Sequence, residues 1–108
     1  MQSETYAYNL AIDVGCGNGQ STFPLAKTWK HVIGVDVSGS QIAEALAVKS
    51  NIDFRVGLAE DLYFQQDESV DLMTAGIFIH WINQPCFWKE ATRVLRPGGV
   101  LAVYSFNT

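Results

Sequence analysis

Five short apolar runs alternate with amphipathic stretches along the chain, and this alternation restricts the fold more than any other feature. The runs are NLAIDV from Asn9, HVIGVDV from His31, IDFRVG from Ile52, SVDLMTAG from Ser69 and VLAVYSF from Val100 to Phe106. Each is too short for a buried helix and has the length of a buried strand. Between them lie GQSTFPLAKTW (Gly19 to Trp29), SGSQIAEALAVKS (Ser38 to Ser50) and QPCFWKEATRVLR (Gln84 to Arg96), three stretches with helical spacing. Ser38 with Gln41 three residues on fits a capping box, and Pro85 suits a first helical turn. PGG (Pro97 to Gly99) is placed to end the last helix before the fifth strand. Buried strands joined by helices require a parallel sheet with right-handed crossovers, an α/β domain.

Composition sets the outer bounds. A chain of 108 residues, 48% hydrophobic and 17% charged, reads as one globular domain over 1–108. Its formal charge of -4 argues against a nucleic-acid backbone as partner. No apolar run approaches the roughly 18 residues of a membrane span, so a membrane partner is not expected. Two cysteines, Cys16 and Cys86, make no disulfide framework; free thiols in a cytoplasmic setting are the expectation. No Cys/His/Asp cluster has zinc spacing, and no metal site is expected.

The first strand runs into DVGCGNG, with glycines at 15, 17 and 19. An open α/β sheet places its ligand cleft at this loop, beyond the carboxyl end of the strand. The dinucleotide fingerprint G-x-G-x-x-G would need its third glycine at Gln20, so this loop is not spaced for a pyrophosphate. Asp36 ends the second strand, where a carboxylate accepts ribose hydroxyls. Asp13 brings a second carboxylate to the loop; two acids there repel a phosphate and favour a cation. The alternative for Asp13 is a carboxylate that only braces the loop. Cys16, beside a helix start, has either a lowered pKa or the plain role of a small residue in a tight turn. Asp67, Glu68, Lys89, Glu90 and Arg93 read as solvated surface charges.

DVGCGNG, VIGVD (32–36), GLAEDLYF (57–64), SVDLMTAG (69–76) and EATRVLRPGGVLAVYS (90–105), in this order, resemble the successive motifs of class I S-adenosylmethionine-dependent methyltransferases, nearest to their small-molecule branch. The resemblance implies a Rossmann-like open parallel sheet of five strands in order 3-2-1-4-5. It implies S-adenosyl-L-methionine as cofactor, with Gly15, Gly17 and Gly19 beneath its methionine and ribose. Asp13 would lie near the ammonium end, directly or through water, and Asp36 on the ribose hydroxyls. Ala59 and Glu60 would border the adenine; many family members carry aspartate where this chain has Leu58. Cys16 and Val37 complete the binding set, and Gly76 and Ile77 would line the cleft beside the transferred methyl. His80 is a candidate general base and Trp81 a candidate pocket aromatic, each weighed against simple packing.

The family usually adds strands six and seven after the fifth and helices before the first. Against that pattern the chain reads as an incomplete core: the cofactor half with little of the acceptor half. Two function classes follow, methyl transfer to a small-molecule acceptor and a non-catalytic cofactor-binding or dimerisation module. An apolar fifth strand at the sheet edge predicts a homodimer through Val100–Phe106 or the preceding helix.

Overall fold

The computed structural model describes residues 8–45, 51–76 and 82–104. The elements are β1 (Leu10–Val14), α1 (Thr22–Leu25), β2 (His31–Asp36), α2 (Gly39–Ala45), β3 (Ile52–Val56), β4 (Val70–Ala75), α3 (Gln84–Val94) and β5 (Leu95–Val103). They form one five-stranded sheet in order β3-β2-β1-β4-β5, and every pairing is parallel. This is the expected doubly wound order.

The middle strand is the most deeply covered. Ala11, Ile12 and Val14 of β1 are fully buried, as are Val32 of β2 and Val70, Met73 and Ala75 of β4. Strands buried on both faces read as continuous apolar runs, as these do. The helix α3 lays Phe87, Ala91 and Val94 onto the sheet, spaced by four and three residues. Burial of the Phe87 side chain alone contributes roughly 1.5–3 kcal/mol. Its N-terminus is capped by Asn83, whose side chain accepts the Cys86 N–H at 3.2 Å.

Register decides what surrounds Asp13. It pairs with Gly34 on one side and Thr74 on the other. Gly34 leaves the space that Phe54 and Cys16 fill: a Cβ there would meet Phe54 at 2.8 Å and the Cys16 sulfur at 3.1 Å.

Three elements depart from the sequence expectation. The first helix closes after Leu25, and the chain continues to Trp29 through tighter turns. The Asn51 amide takes the freed carbonyls of Ala26 and Trp29 at 3.0 and 3.1 Å, which removes the need for a longer helix. The last helix ends at Val94, and β5 starts at once with Leu95, so Pro97–Gly99 lies inside the strand. The pairing with β4 shifts there, from Val70↔Leu95 to Leu72↔Val100. A proline is tolerated at such a bulge on an edge strand. The capping box is half formed. Gln41 N–H reaches Ser38 Oγ at 3.3 Å, but Ser38 N–H is taken by Asp36 instead of Gln41.

Candidate functional site

The glycine loop links β1 to α1 with positive φ at Gly15 (72°), Gly17 (58°) and Gly19 (98°). Side chains rarely adopt such angles, which accounts for glycine at alternate positions. The three differ in what they face. Gly15 and Cys16 both donate to the Val35 carbonyl, at 2.7 and 3.1 Å, and so tie the loop to β2. A Cβ on Gly19 would press on Phe54 and Phe23 at 3.0–3.1 Å, so Gly19 serves packing. A Cβ on Gly17 would meet only Gln41, at 3.9 Å, which leaves open space above this backbone.

Asp36 joins the loop to the next helix. Its Oδ2 accepts the Gly17 N–H at 2.8 Å and its Oδ1 accepts the Ser38 N–H at 2.9 Å. A carboxylate has about four acceptor sites, so each oxygen keeps one for a ligand. Asp36 lines a cleft of ≈ 320 Å³ with Gly15, Val37, Leu58, Ala59, Glu60 and Ile82. Val37 and Leu58 are more than half exposed and form an apolar rim. Glu60 is held by the Asn83 N–H, which donates to Oε2 at 3.2 Å.

Of the two readings open for Asp13, ligand contact and a brace for the loop, the geometry supplies a brace. Asp13 has no exposed surface. Ser21 Oγ and Thr22 Oγ1 donate to its Oδ2 at 2.7 and 2.8 Å, and Thr74 Oγ1 donates to Oδ1 at 2.8 Å. The Tyr104 hydroxyl adds a longer contact to Oδ1 at 3.4 Å and reaches Ser21 Oγ at 3.0 Å. Asp13 therefore pins the start of α1 to β1 and β4 from beneath the loop. None of these four hydroxyl residues was singled out by motif. For Thr74, the signal was its place opposite Asp13 in the register.

Cys16 is buried, and burial, followed by the charges of Asp13 and Asp36, pushes its thiol up to about 12. A helix of four residues offers little dipole to oppose this. Of the two readings of Cys16, this environment supports the small residue in a tight turn. Iodoacetamide at pH 8 is expected to label exposed Cys86 and spare Cys16 until the protein unfolds; peptide mass analysis of folded and urea-unfolded samples checks this. Since the folded pKa lies above the ordinary thiol value of 9.0, the native state holds this proton more tightly than the unfolded chain. The associated stability is complete below pH 9 and is lost as pH rises toward 12.

Gly15, Asp36, Val37, Ala59 and Glu60 thus meet at one cleft, whereas Cys16 and Gly19 pack behind it. Gly76 is buried at the end of β4, where a Cβ would touch the Tyr104 ring at 3.5 Å. Ile77, His80 and Trp81 lie outside the described residues. Ile82 of the cleft was not among the sequence candidates. A second, more open cavity of ≈ 460 Å³ is lined by Gln20, Ser21, Pro24 and Tyr104. Among the described residues no three His, Cys, Asp or Glu gather as a metal site, and no helix is long and apolar enough to cross a membrane.

The charges assigned to solvent include a correction. Arg93 forms a bidentate pair with Glu90, at 2.9 Å to Oε1 and 3.1 Å to Oε2, and an ion pair with Asp67 at 2.8 Å. The hydrogen bonds from Arg93 hold the Glu90 carboxyl below its ordinary range, and those to Glu90 and Asp67 raise Arg93. This cluster sits against the segment that follows the cleft.

Residues 12–103 match the family model described as a methyltransferase domain. A Dictyostelium discoideum protein with a methyltransferase designation is 42% identical over 92% of this chain and 37% of its own length. The tRNA 5-carboxymethoxyuridine methyltransferase of Escherichia coli K12 is 32% identical over 89% of this chain and 40% of its own. A solved structure described as a type II methyltransferase from Anaeromyxobacter dehalogenans superposes with a TM-score of 0.87 at 36% identity, covering 95% of this chain and 43% of that one. The chain spans well under half the length of these proteins.

Proposed function

The chain belongs to the methyltransferase domain family, a class I S-adenosylmethionine-dependent family, and from that premise we propose that it binds S-adenosyl-L-methionine at the Asp36 cleft and supports methyl transfer to a small-molecule acceptor. The observation that carries this reading is the Asp36 carboxylate, fixed by two backbone N–H groups, beside the open backbone of Gly17. Both features suit the cofactor. A ribose diol fits two carboxylate oxygens that each keep an acceptor site, and a bulky group fits above a glycine whose Cβ position is empty. Val37 and Leu58 would enclose the adenine, with Ala59 and Glu60 at its edge.

The bound cofactor supplies an activated methyl on a sulfonium. The protein's part is to hold and align it. Gly15 and Gly17 present backbone without side chains to the cofactor. Asp13 acts at one remove, by fixing the loop through Ser21, Thr22 and Thr74. The acceptor is assigned to the second cavity, because Tyr104 lines it and also covers Gly76 at the end of β4. A tRNA-modifying relative makes nucleic acid the competing acceptor class, and the charge of -4 favours the small molecule. Transfer of radiolabelled methyl from the cofactor, assayed in parallel on a metabolite extract and on bulk tRNA, tests this. Label in the metabolite fraction is expected. Label in tRNA alone would overturn the acceptor class, and binding without transfer would favour the non-catalytic module.

Assembly and location belong to the same proposal. Val100 and Val103 are about half exposed on the edge strand β5, which supports a homodimer formed through that edge, and a cytoplasmic location is part of the same reading. Sedimentation equilibrium is expected to show a dimer that Val103→Lys weakens. A monomer at every concentration, with the variant unchanged, contradicts it.

A further inference from the structure

We infer that Glu90 and Arg93 of α3 are positioning residues for the wall of the Asp36 cleft formed by Gly57–Glu60. The link from this wall to cofactor affinity rests on the function proposed above. The wall follows β3 and lies outside the sheet ladder. At its start, the Gly57 N–H donates to the Asp36 carbonyl at 2.9 Å. Beyond that, its anchors lead to one helix. Glu60 Oε2 accepts the N–H of Asn83, the N-cap of α3. Two residues after Glu60, the Leu62 N–H donates to Glu90 Oε1 at 2.8 Å, and the Leu62 carbonyl accepts from Arg93 Nη2 at 2.9 Å. Arg93 Nη1 continues to the Gln65 carbonyl at 2.9 Å and to Asp67.

The wall is therefore suspended between the first and last turns of α3. The guanidinium fork spans Glu90, Leu62, Gln65 and Asp67 at once. An ammonium has a single point of charge and no planar fork, so lysine cannot reproduce that set. Leu62 is fully buried, which converts a fixed backbone at 62 into a fixed wall at 57–60. Arg93 and Glu90 do not line the cleft, and their hydrogen bonds to Leu62 are the route by which they act on its wall.

Hydrogen exchange on the ligand-free full chain tests this without activity. In Arg93→Lys, exchange at the Gly57, Asp61 and Leu62 amides is expected to rise about tenfold, the factor for losing roughly one charge-assisted hydrogen bond, while β1 and β2 amides keep their rates. Lys89→Gln, an exposed change on the same helix, is expected to alter none of them. S-adenosylhomocysteine affinity, measured on the same folded variant, is expected to fall by a similar factor. If Arg93→Lys does not fold, Glu90→Gln carries the same measurements. Unchanged exchange at 57–62, or equal acceleration in β1, overturns the positioning role. A wild type that fails to bind S-adenosylhomocysteine instead refutes the cofactor assignment, and the exchange result still decides the fate of the wall.

Discussion

Asp13→Ala is expected to lower unfolding free energy by roughly 3–5 kcal/mol, since three hydroxyl donors lose their acceptor at about 1–3 kcal/mol for each one left buried and unsatisfied. Ser21, Thr22 and Thr74 would each lose their carboxylate acceptor, and Thr22 is fully buried. A domain of this size is stable by about 5–15 kcal/mol, so much of the folded population is at risk. Urea unfolding followed by tryptophan fluorescence measures the change. Asp13→Asn separates bracing from ligand contact. Its amide keeps one acceptor oxygen, and hydroxyl donors can rotate to meet the new N–H group. This variant is expected to be intermediate in stability and to keep cofactor affinity. A stable Asp13→Asn that no longer binds would return Asp13 to the ligand.

Asp36→Ala is expected to cost affinity more than fold. The carboxylate would supply charge-assisted bonds to the ribose worth roughly 1.5–3 kcal/mol, or about 10- to 150-fold in dissociation constant. It also fixes the Gly17 and Ser38 N–H groups, so its removal loosens the loop that faces the ligand. Gly17→Val is expected to reduce binding further. A β-branched residue at φ 58° is strained, and its side chain fills space that is otherwise open. Fluorescence titration with S-adenosylhomocysteine, on variants whose circular dichroism matches wild type, checks both. Wild-type affinity in Asp36→Ala would remove that residue from the site.

The parallel sheet was legible because strand-length, largely apolar runs alternate with helical spacing, and the motif resemblance implied the order of its strands. β1 is the clearest case, with Ile12 and Val14 fully buried. Element ends were less legible, because tertiary partners set them. The Asn51 amide that receives the end of the first helical segment lies 25 residues from Ala26 in sequence. Pro97 and Gly98 read as a break, yet the edge position of β5 lets them stay within the strand.

The site divided in the same way. Asp36 and the positive-φ glycines follow from local chain geometry, and the motif exposes them. What Asp13 does depends on hydroxyls from 8 to 61 residues away, which no local pattern displays. Arg93 and Glu90 look like any charged pair on a helix. Their carbonyl and amide partners at Leu62 and Gln65 come from a separate loop, and only the packed structure brings them together.

Calorimetric titration of the purified chain with S-adenosylmethionine, S-adenosylhomocysteine and NAD in parallel tests the central assignment most directly. The Asp36 cleft is expected to take S-adenosylmethionine and its demethylated product at one site per chain, with no heat from NAD. Binding of NAD in their place, or of none of the three, would contradict it.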